Sequence, residues 1–244
     1  MRKLTVMVSV YAAGDWLENR LDNLCHSSSR NDMDIWVLNA NSPDPRDDEI
    51  PKKFTGPGFH YDKLPERIGV YAAWNWIIRN SQSQYLTNAN ADDLVAPACY
   101  QKLMGALDKH PKSGFAYPNW YVTDHPNLRW HQVTGRDGLT EAGPGGQPGQ
   151  YAGDLGMAGV GHFPLWRREL HSKYGQFDER FRALGDADWW ARCYYLGGVQ
   201  FAWISEYLAC YLWRQGQNLW HQCINQDEWD LYHRRAGEYK LGVM

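Results

Sequence analysis

Tyr85-Leu86-Thr87-Asn88-Ala89-Asn90-Ala91-Asp92-Asp93 runs from a strand-like apolar start into a polar turn that ends on two adjacent carboxylates. A short β-favouring run that stops on Asn and Asp reads as a buried strand leaving a sheet. The segments upstream give it a setting. Leu4 to Val10 is a continuous apolar strand, and Asp15 with Glu18 three residues on predicts a capped helix start whose Trp16, Leu17, Leu21 and Leu24 keep the helical period. Ile35 to Leu38 is a second strand, ending in the turn-forming cluster Asn39-Ala40-Asn41-Ser42-Pro43-Asp44. Val70 to Ile78 repeats helically before Tyr85 to Thr87 returns to strand. Strand, helix, strand, helix, strand is the rhythm of an α/β domain with a mostly parallel sheet. In such sheets ligands sit beyond the carboxyl ends of the strands, where both Asn39–Asp44 and Asn90–Asp93 fall.

The second half is less regular. Ala98 to His110 reads as a helix, and a glycine-rich stretch from Gly135 to Gly161, with Gly143-Pro144-Gly145-Gly146 at its centre, reads as a loop or lid or, equally, as a surface insertion. Helices are expected over Trp166 to Tyr174 and Asp186 to Tyr195, then strands near Val199–Trp203 and Tyr207–Trp213, interrupted at Glu206. The regime changes near Ser113. Residues 1–112 form one functional half and 113–244 the other, within a single domain of 244 residues. A chain of this size buries roughly 70–75% of its unfolded surface.

A net charge of −3 gives no broad electrostatic case for nucleic acid, whose binders usually carry a basic face, and the pairs Arg167-Arg168 and Arg234-Arg235 read more simply as solvated surface. Cys25, Cys99, Cys193, Cys210 and Cys223 are odd in number, widely spaced and without a C-x-x-C pair, so they read as reduced thiols in a cytoplasmic protein. The apolar start is interrupted by Thr5, Ser9 and Tyr11, which fits a first strand better than a leader. No apolar run reaches the roughly 18 residues of a spanning helix. Thirteen tryptophans are unusual; most serve a core, and Trp120, Trp130 and Trp166 are candidates for an acceptor cleft.

Two clusters carry chemistry. Asp92 at a strand end has the character of a carboxylate that holds magnesium or manganese on a substrate diphosphate, with Asp93 as a second ligand or a turn cap. A polar turn with a helix cap explains Asn90–Asp93 equally well in isolation. Asp186, between Gly185 and the aromatic Trp189-Trp190 helix, is either an N-cap or a general base for an acceptor hydroxyl, and the two roles are compatible.

Taken in order, these pieces resemble the family-2 glycosyltransferases of the GT-A fold. They are Ser9-Val10-Tyr11, then Val37-Leu38-Asn39-Ala40-Asn41-Ser42-Pro43-Asp44, then Ile68-Gly69-Val70 with Ala73-Trp74-Asn75, then Tyr85 to Asp93 in the place of the D-x-D motif. Trp166-Arg167-Arg168-Glu169-Leu170 leads to Gly175-Gln176-Phe177-Asp178-Glu179, and Gly185-Asp186-Ala187-Asp188-Trp189-Trp190-Ala191-Arg192 sits where the family places its catalytic aspartate. The likeness spans about residues 3 to 220.

The resemblance implies an inverting transfer from a nucleotide-diphosphate sugar to an acceptor hydroxyl on a glycan, a lipid-linked carrier or another molecule. It implies Mn2+ or Mg2+ on Asp92, Asn90 near the ribose, a nucleotide pocket lined by Ser9, Tyr11, Asn39 and Arg67, and Asp186 as base. Three positions depart from the family pattern. Asn90 replaces the first acid of D-x-D, and Asn39-Ala40 stands where relatives carry a base-contacting aspartate. The C-terminal R-x-H histidine is missing from Arg214-Gln215-Gly216, leaving Gln215 or His221 as the nearest substitutes. A non-catalytic nucleotide-sugar or glycan-binding module on the same fold is the alternative, favoured by the softened metal motif and opposed by the intact Gly-Asp-Ala-Asp segment. A nucleotidyltransferase would need a glycine- and basic-rich loop after the first strand, and Val10 to Asp15 does not provide one.

Overall fold

A computed structural model describes residues 1–134, 139–142, 162–216 and 225–243. The glycine-rich segment from 143 onward, His221 and Cys223 lie outside the described residues.

The first strand, β1 (Leu4–Val10), owes its place to its composition. Leu4, Val6, Val8 and Val10 point to one face of the sheet and Met7 to the other, and all are buried, so both faces must be covered. On the first face lie α1 (Leu17–Cys25), through Leu17, Leu21 and Leu24, and the helix Cys99–Lys109, through Leu103, Met104 and Leu107. On the second lies the helix Val70–Asn80, through Tyr71, Ala73, Trp74, Ile77 and Ile78.

β2 (Met33–Asn39) and the strand Tyr85–Asn88 flank β1 in parallel, and β3 (Phe59–Lys63) continues the sheet beyond β2. After the short α2 (Arg46–Glu49), the Val70–Asn80 helix is α3, Tyr85–Asn88 is β4, Leu94–Val95 is β5 and Cys99–Lys109 is α4. The second half supplies β6 (Ser113–Thr123), α5 (Trp130–Val133), β7 (Thr140–Ala142), β8 (Leu165–Arg167), α6 (Glu169–Tyr174), α7 (Gly185–Gly197), β9 (Gln200–Leu212) and α8 (Gln226–Lys240). The strand order is β3-β2-β1-β4-β8-β6-β9-β5, with β7 on β6. Strands β1, β2, β3, β4, β6 and β9 run one way, and β5, β7 and β8 oppose them. One sheet therefore joins residues from both halves of the sequence.

Several local expectations are corrected. Asp15 does not cap α1, whose first residue follows Trp16 without a side-chain cap; Asp15 instead pairs with Arg46 at 2.5 Å. The two strands expected on either side of Glu206 are one strand, β9. Its register against β6 slips where Pro118 faces Ile204 and Asn119 faces Tyr207, so Ser205 and Glu206 bulge out. Asn119 fills that bulge, donating to the Ser205 carbonyl at 3.0 Å and accepting from the Trp203 indole at 2.8 Å. Trp166 starts no helix and lines no cleft. It sits on β8, 1% exposed among Phe177, Trp189 and His171, and gives its indole proton to His171. No helix among the described residues is long and apolar enough to cross a membrane.

Candidate active site

The carboxyl ends of β1, β2 and β4 share one edge because the three strands are parallel neighbours, with Val10 opposite Asn39 and Met7 opposite Asn88. The loops after β1 and β2 are tied into one floor. The Ala12 N–H donates to Ser42 Oγ at 2.9 Å and the Ala13 N–H to the buried Asp47 carboxylate at 3.0 Å. Ala12 is held at φ 52°, a left-handed conformation that a residue with a Cβ adopts at a cost of roughly 1–2 kcal/mol. Ser9 is half-buried beside this floor. Tyr11 is exposed, with the Arg67 guanidinium 4.1 Å above its ring, so the two form an open shelf of aromatic and cationic surface.

Asn39 is not on that shelf. It is fully buried, its amide donating to Asp48 at 2.8 Å and its carbonyl accepting the Ser42 N–H at 2.7 Å. Its work is to shape the loop that carries Ser42.

At the end of β4 the chain turns through Asn90 to Asp93 into β5, which pairs with β9 through Leu94 opposite Cys210. That pairing brings the end of β9 against the turn. Asp93 points inward, 2% exposed, accepting from the Asn90 amide at 2.9 Å and the Leu212 N–H at 3.1 Å. Burial, reinforced by the neighbouring Asp92 charge, pushes its carboxyl up to about 8. Asp92 takes the outer position, its carboxylate 2.7 Å from the Arg214 guanidinium, which in turn lies 4.3 Å over the Trp16 ring.

Asp186 reaches the same end of the molecule by another route. β3 ends at Lys63, opposite Asn39, and the chain then passes Arg67 to enter α3 at Val70. Tyr71, one residue into α3, donates its hydroxyl proton to Asp186 Oδ1 at 3.1 Å, and the Ala187 N–H donates to the same oxygen at 2.8 Å. Removal from bulk water raises the Asp186 carboxyl to about 6 against these two donors, which favour the charged form. Asp186 does not act as the helix cap. The N–H groups of Arg182, Ala183 and Leu184, leading into α7, all converge on Glu228 Oε1 from α8 at 3.0, 2.7 and 2.8 Å. Gly185 has no room for a side chain, since a Cβ there would lie 2.7 Å from the Tyr71 ring. Asp188, the other acid of this segment, is wholly buried and structural: it accepts from Arg192 at 2.6 Å, Arg235 at 2.8 Å and the Tyr239 hydroxyl at 2.9 Å, locking α7 to α8.

The sequence model of glycosyl transferase family 2 matches residues 5–175, more than half of the chain. The chain belongs to that family. No curated protein matches it in sequence. Among solved structures it is similar to Staphylococcus aureus TarS 1–349 in complex with UDP-GlcNAc, at a TM-score of 0.76 and 13% identity, over 99% of this chain and 67% of that one. The UDP complex of the same protein gives a TM-score of 0.74 at 12% identity, over 99% and 66%. The mannosyltransferase PcManGT from Pyrobaculum calidifontis, in complex with GDP-Man and Mn2+, gives 0.63 at 16%, over 98% and 62%. This chain thus spans about two thirds of the length of these structures. The likeness establishes the GT-A fold.

Family membership implies a divalent cation on the donor diphosphate, and the donor set can be tested for it. Asp92 is already matched by a guanidinium, Asp93 is turned into the protein, and Asn90 is a neutral amide bound to Asp93. No group of three or more His, Cys, Asp or Glu side chains gathers as a cation site among the described residues. Among the described residues these side chains do not fit a divalent ion held by two carboxylates, because Asp93, the second ligand expected, is turned inward by burial and Asp92 is paired with Arg214. Tyr71, Glu228 and Trp16 escape sequence reasoning because each acts on a partner far along the chain. The position of Arg214 in the C-terminal segment was the one available signal for the group that meets Asp92.

Proposed function

We propose that this chain transfers a glycosyl group from a nucleotide-diphosphate sugar to an acceptor hydroxyl with inversion, and that Asp186 is the general base. The observation that carries this reading is the Asp186 carboxylate. It is held by Tyr71 and the Ala187 N–H, lifted to about 6, and so ionised yet basic near neutral pH. A structural aspartate in this fold looks like Asp188, which is fully paired with cations; Asp186 has hydrogen-bond donors and no such pairing among the described contacts.

The nucleotide would lie on the loops after β1 and β2, with Ser9 and the Tyr11–Arg67 shelf against it and Asn90 near the ribose. In the reaction the acceptor oxygen forms its bond to the anomeric carbon on the Asp186 side. The bond from that carbon to the diphosphate oxygen breaks, its electron pair leaving with the diphosphate. The acceptor proton passes to Asp186. A single displacement of this kind inverts the anomeric configuration, and positioning both reactants in line supplies much of the acceleration.

The test is Asp186→Asn assayed over a panel of UDP- and GDP-sugars. Donor binding by calorimetry should persist while transfer, or hydrolysis in the absence of acceptor, falls at least about a hundredfold, as for loss of a general base. Unchanged turnover in Asp186→Asn would refute the assignment.

A further inference from the structure

We infer that Arg214 binds the donor diphosphate and supplies the positive charge for its departure, in the role a divalent cation would otherwise fill at Asp92. This inference rests on the glycosyl-transfer reading above.

Three observations meet at one place. Asp92 follows β4 at the ligand-bearing edge of the sheet, and its carboxylate is 2.7 Å from the Arg214 guanidinium, both side chains being largely buried. The Trp16 ring lies under that guanidinium at 4.3 Å, so the cation is held on a face as well as at an edge. The β5–β9 pairing fixes the backbone, since Leu212 donates to Asp93 only two residues before Arg214. A surface ion pair of convenience has no such cradle. This arginine is oriented by three separate elements.

Its chemistry suits the task. A guanidinium stays charged throughout the accessible pH range and presents a planar fork of donors with the geometry to hold a carboxylate and a phosphoryl oxygen together. Asp92 then serves as the group that positions Arg214, rather than as a metal ligand. The substitution of Asn90 for an acid follows the same logic: a site served by an arginine has no use for a second carboxylate facing the diphosphate. When the anomeric carbon–oxygen bond breaks, the electron pair left on the diphosphate meets a fixed cation that needs no reorganisation.

The experiment is calorimetric binding of UDP and GDP to protein stripped with EDTA, then repeated with added Mn2+, on the wild type and on Arg214→Ala, Arg214→Lys and Asp92→Asn. Circular dichroism checks that each variant is folded. The inference predicts that at least one nucleotide binds the stripped wild type and that Mn2+ does not tighten it. Arg214→Ala should weaken binding about tenfold or more, a loss Mn2+ does not restore, and Arg214→Lys should recover only part of it. Asp92→Asn should tighten binding in EDTA, because the amide oxygen still accepts from the guanidinium while the carboxylate charge that repels phosphate is removed. Binding that appears only with Mn2+, is lost in Asp92→Asn and survives in Arg214→Ala would overturn the role of Arg214 while leaving the glycosyltransferase reading in place. Absence of binding to the wild type under both conditions would overturn both.

Discussion

Tyr71→Phe isolates the group that sets the basicity of Asp186. The hydroxyl of Tyr71 donates to Asp186 Oδ1 at 3.1 Å and favours the ionised carboxylate against burial, which has already raised its pKa to about 6. A hydrogen bond to a charged acceptor contributes about 1.5–3 kcal/mol. This one is long and shares its acceptor with the Ala187 N–H, so the low end applies. At 1.36 kcal/mol per pKa unit that is a rise of about one unit on removing the hydroxyl. The direction follows from the charge: a base works only when deprotonated, so activity is lost as pH falls through its pKa, and a higher pKa moves that loss toward neutrality. Near pH 6 the ionised fraction falls from about one half to about one tenth, and kcat/KM should drop roughly fivefold. Near pH 8 the loss should be only about a tenth. The assay is the pH profile of kcat/KM for wild type and Tyr71→Phe. An acid limb that stays in place, or moves to lower pH, would refute the argument that Asp186 is the base and Tyr71 its tuning partner.

Other substitutions probe the scaffold of the same carboxylate. Gly185→Ala forces a Cβ to within 2.7 Å of the Tyr71 ring, which is itself packed against Trp74 and Phe177; it should cost about 1–3 kcal/mol in urea unfolding, and kcat/KM should fall at least about tenfold. Glu228→Ala strands three N–H groups at the entry to α7 and should cost about 2–4 kcal/mol, whereas Glu228→Gln keeps an acceptor and should cost much less. The Glu228 charge also raises Asp186, so Glu228→Gln should move the acid limb of the pH profile downward, opposite to Tyr71→Phe. Asp188→Asn leaves Arg192 and Arg235 without their shared buried carboxylate and should destabilise the protein by about 3 kcal/mol, read from the urea midpoint, with the acid limb unmoved.

Much of the first half was legible because its code is local. The apolar run from Leu4 to Val10 and the helical periods at Leu17–Leu24 and Val70–Ile78 place buried faces without reference to any distant residue. A polar turn at a strand end points toward a ligand edge once the sheet is parallel, which is why Asn90–Asp93 could be singled out. The second half resisted for the opposite reason. β6 and β9 are parallel partners about ninety residues apart in sequence, and their bulge at Ser205–Glu206 looks, along the chain alone, like a break between two strands. Trp166 shows the same limit: an aromatic residue for a cleft and one for the core are the same letter, and only the packing of Phe177 and Trp189 around it decides.

The sequence by itself determined the alternation of strands and helices around β1, β2 and β4, the family, and the two aspartate-bearing segments singled out for the site. What the tertiary structure decided is the state of each acid within them. Asp92 meets Arg214, Asp93 turns inward, Asp186 faces Tyr71 and Asp188 is locked between two arginines. Adjacent letters in a sequence carry the same intrinsic acidity. Burial and the partners brought in by β9, α3 and α8 separate them, because the energy of a charge depends on what surrounds it in space rather than on what precedes it in the chain.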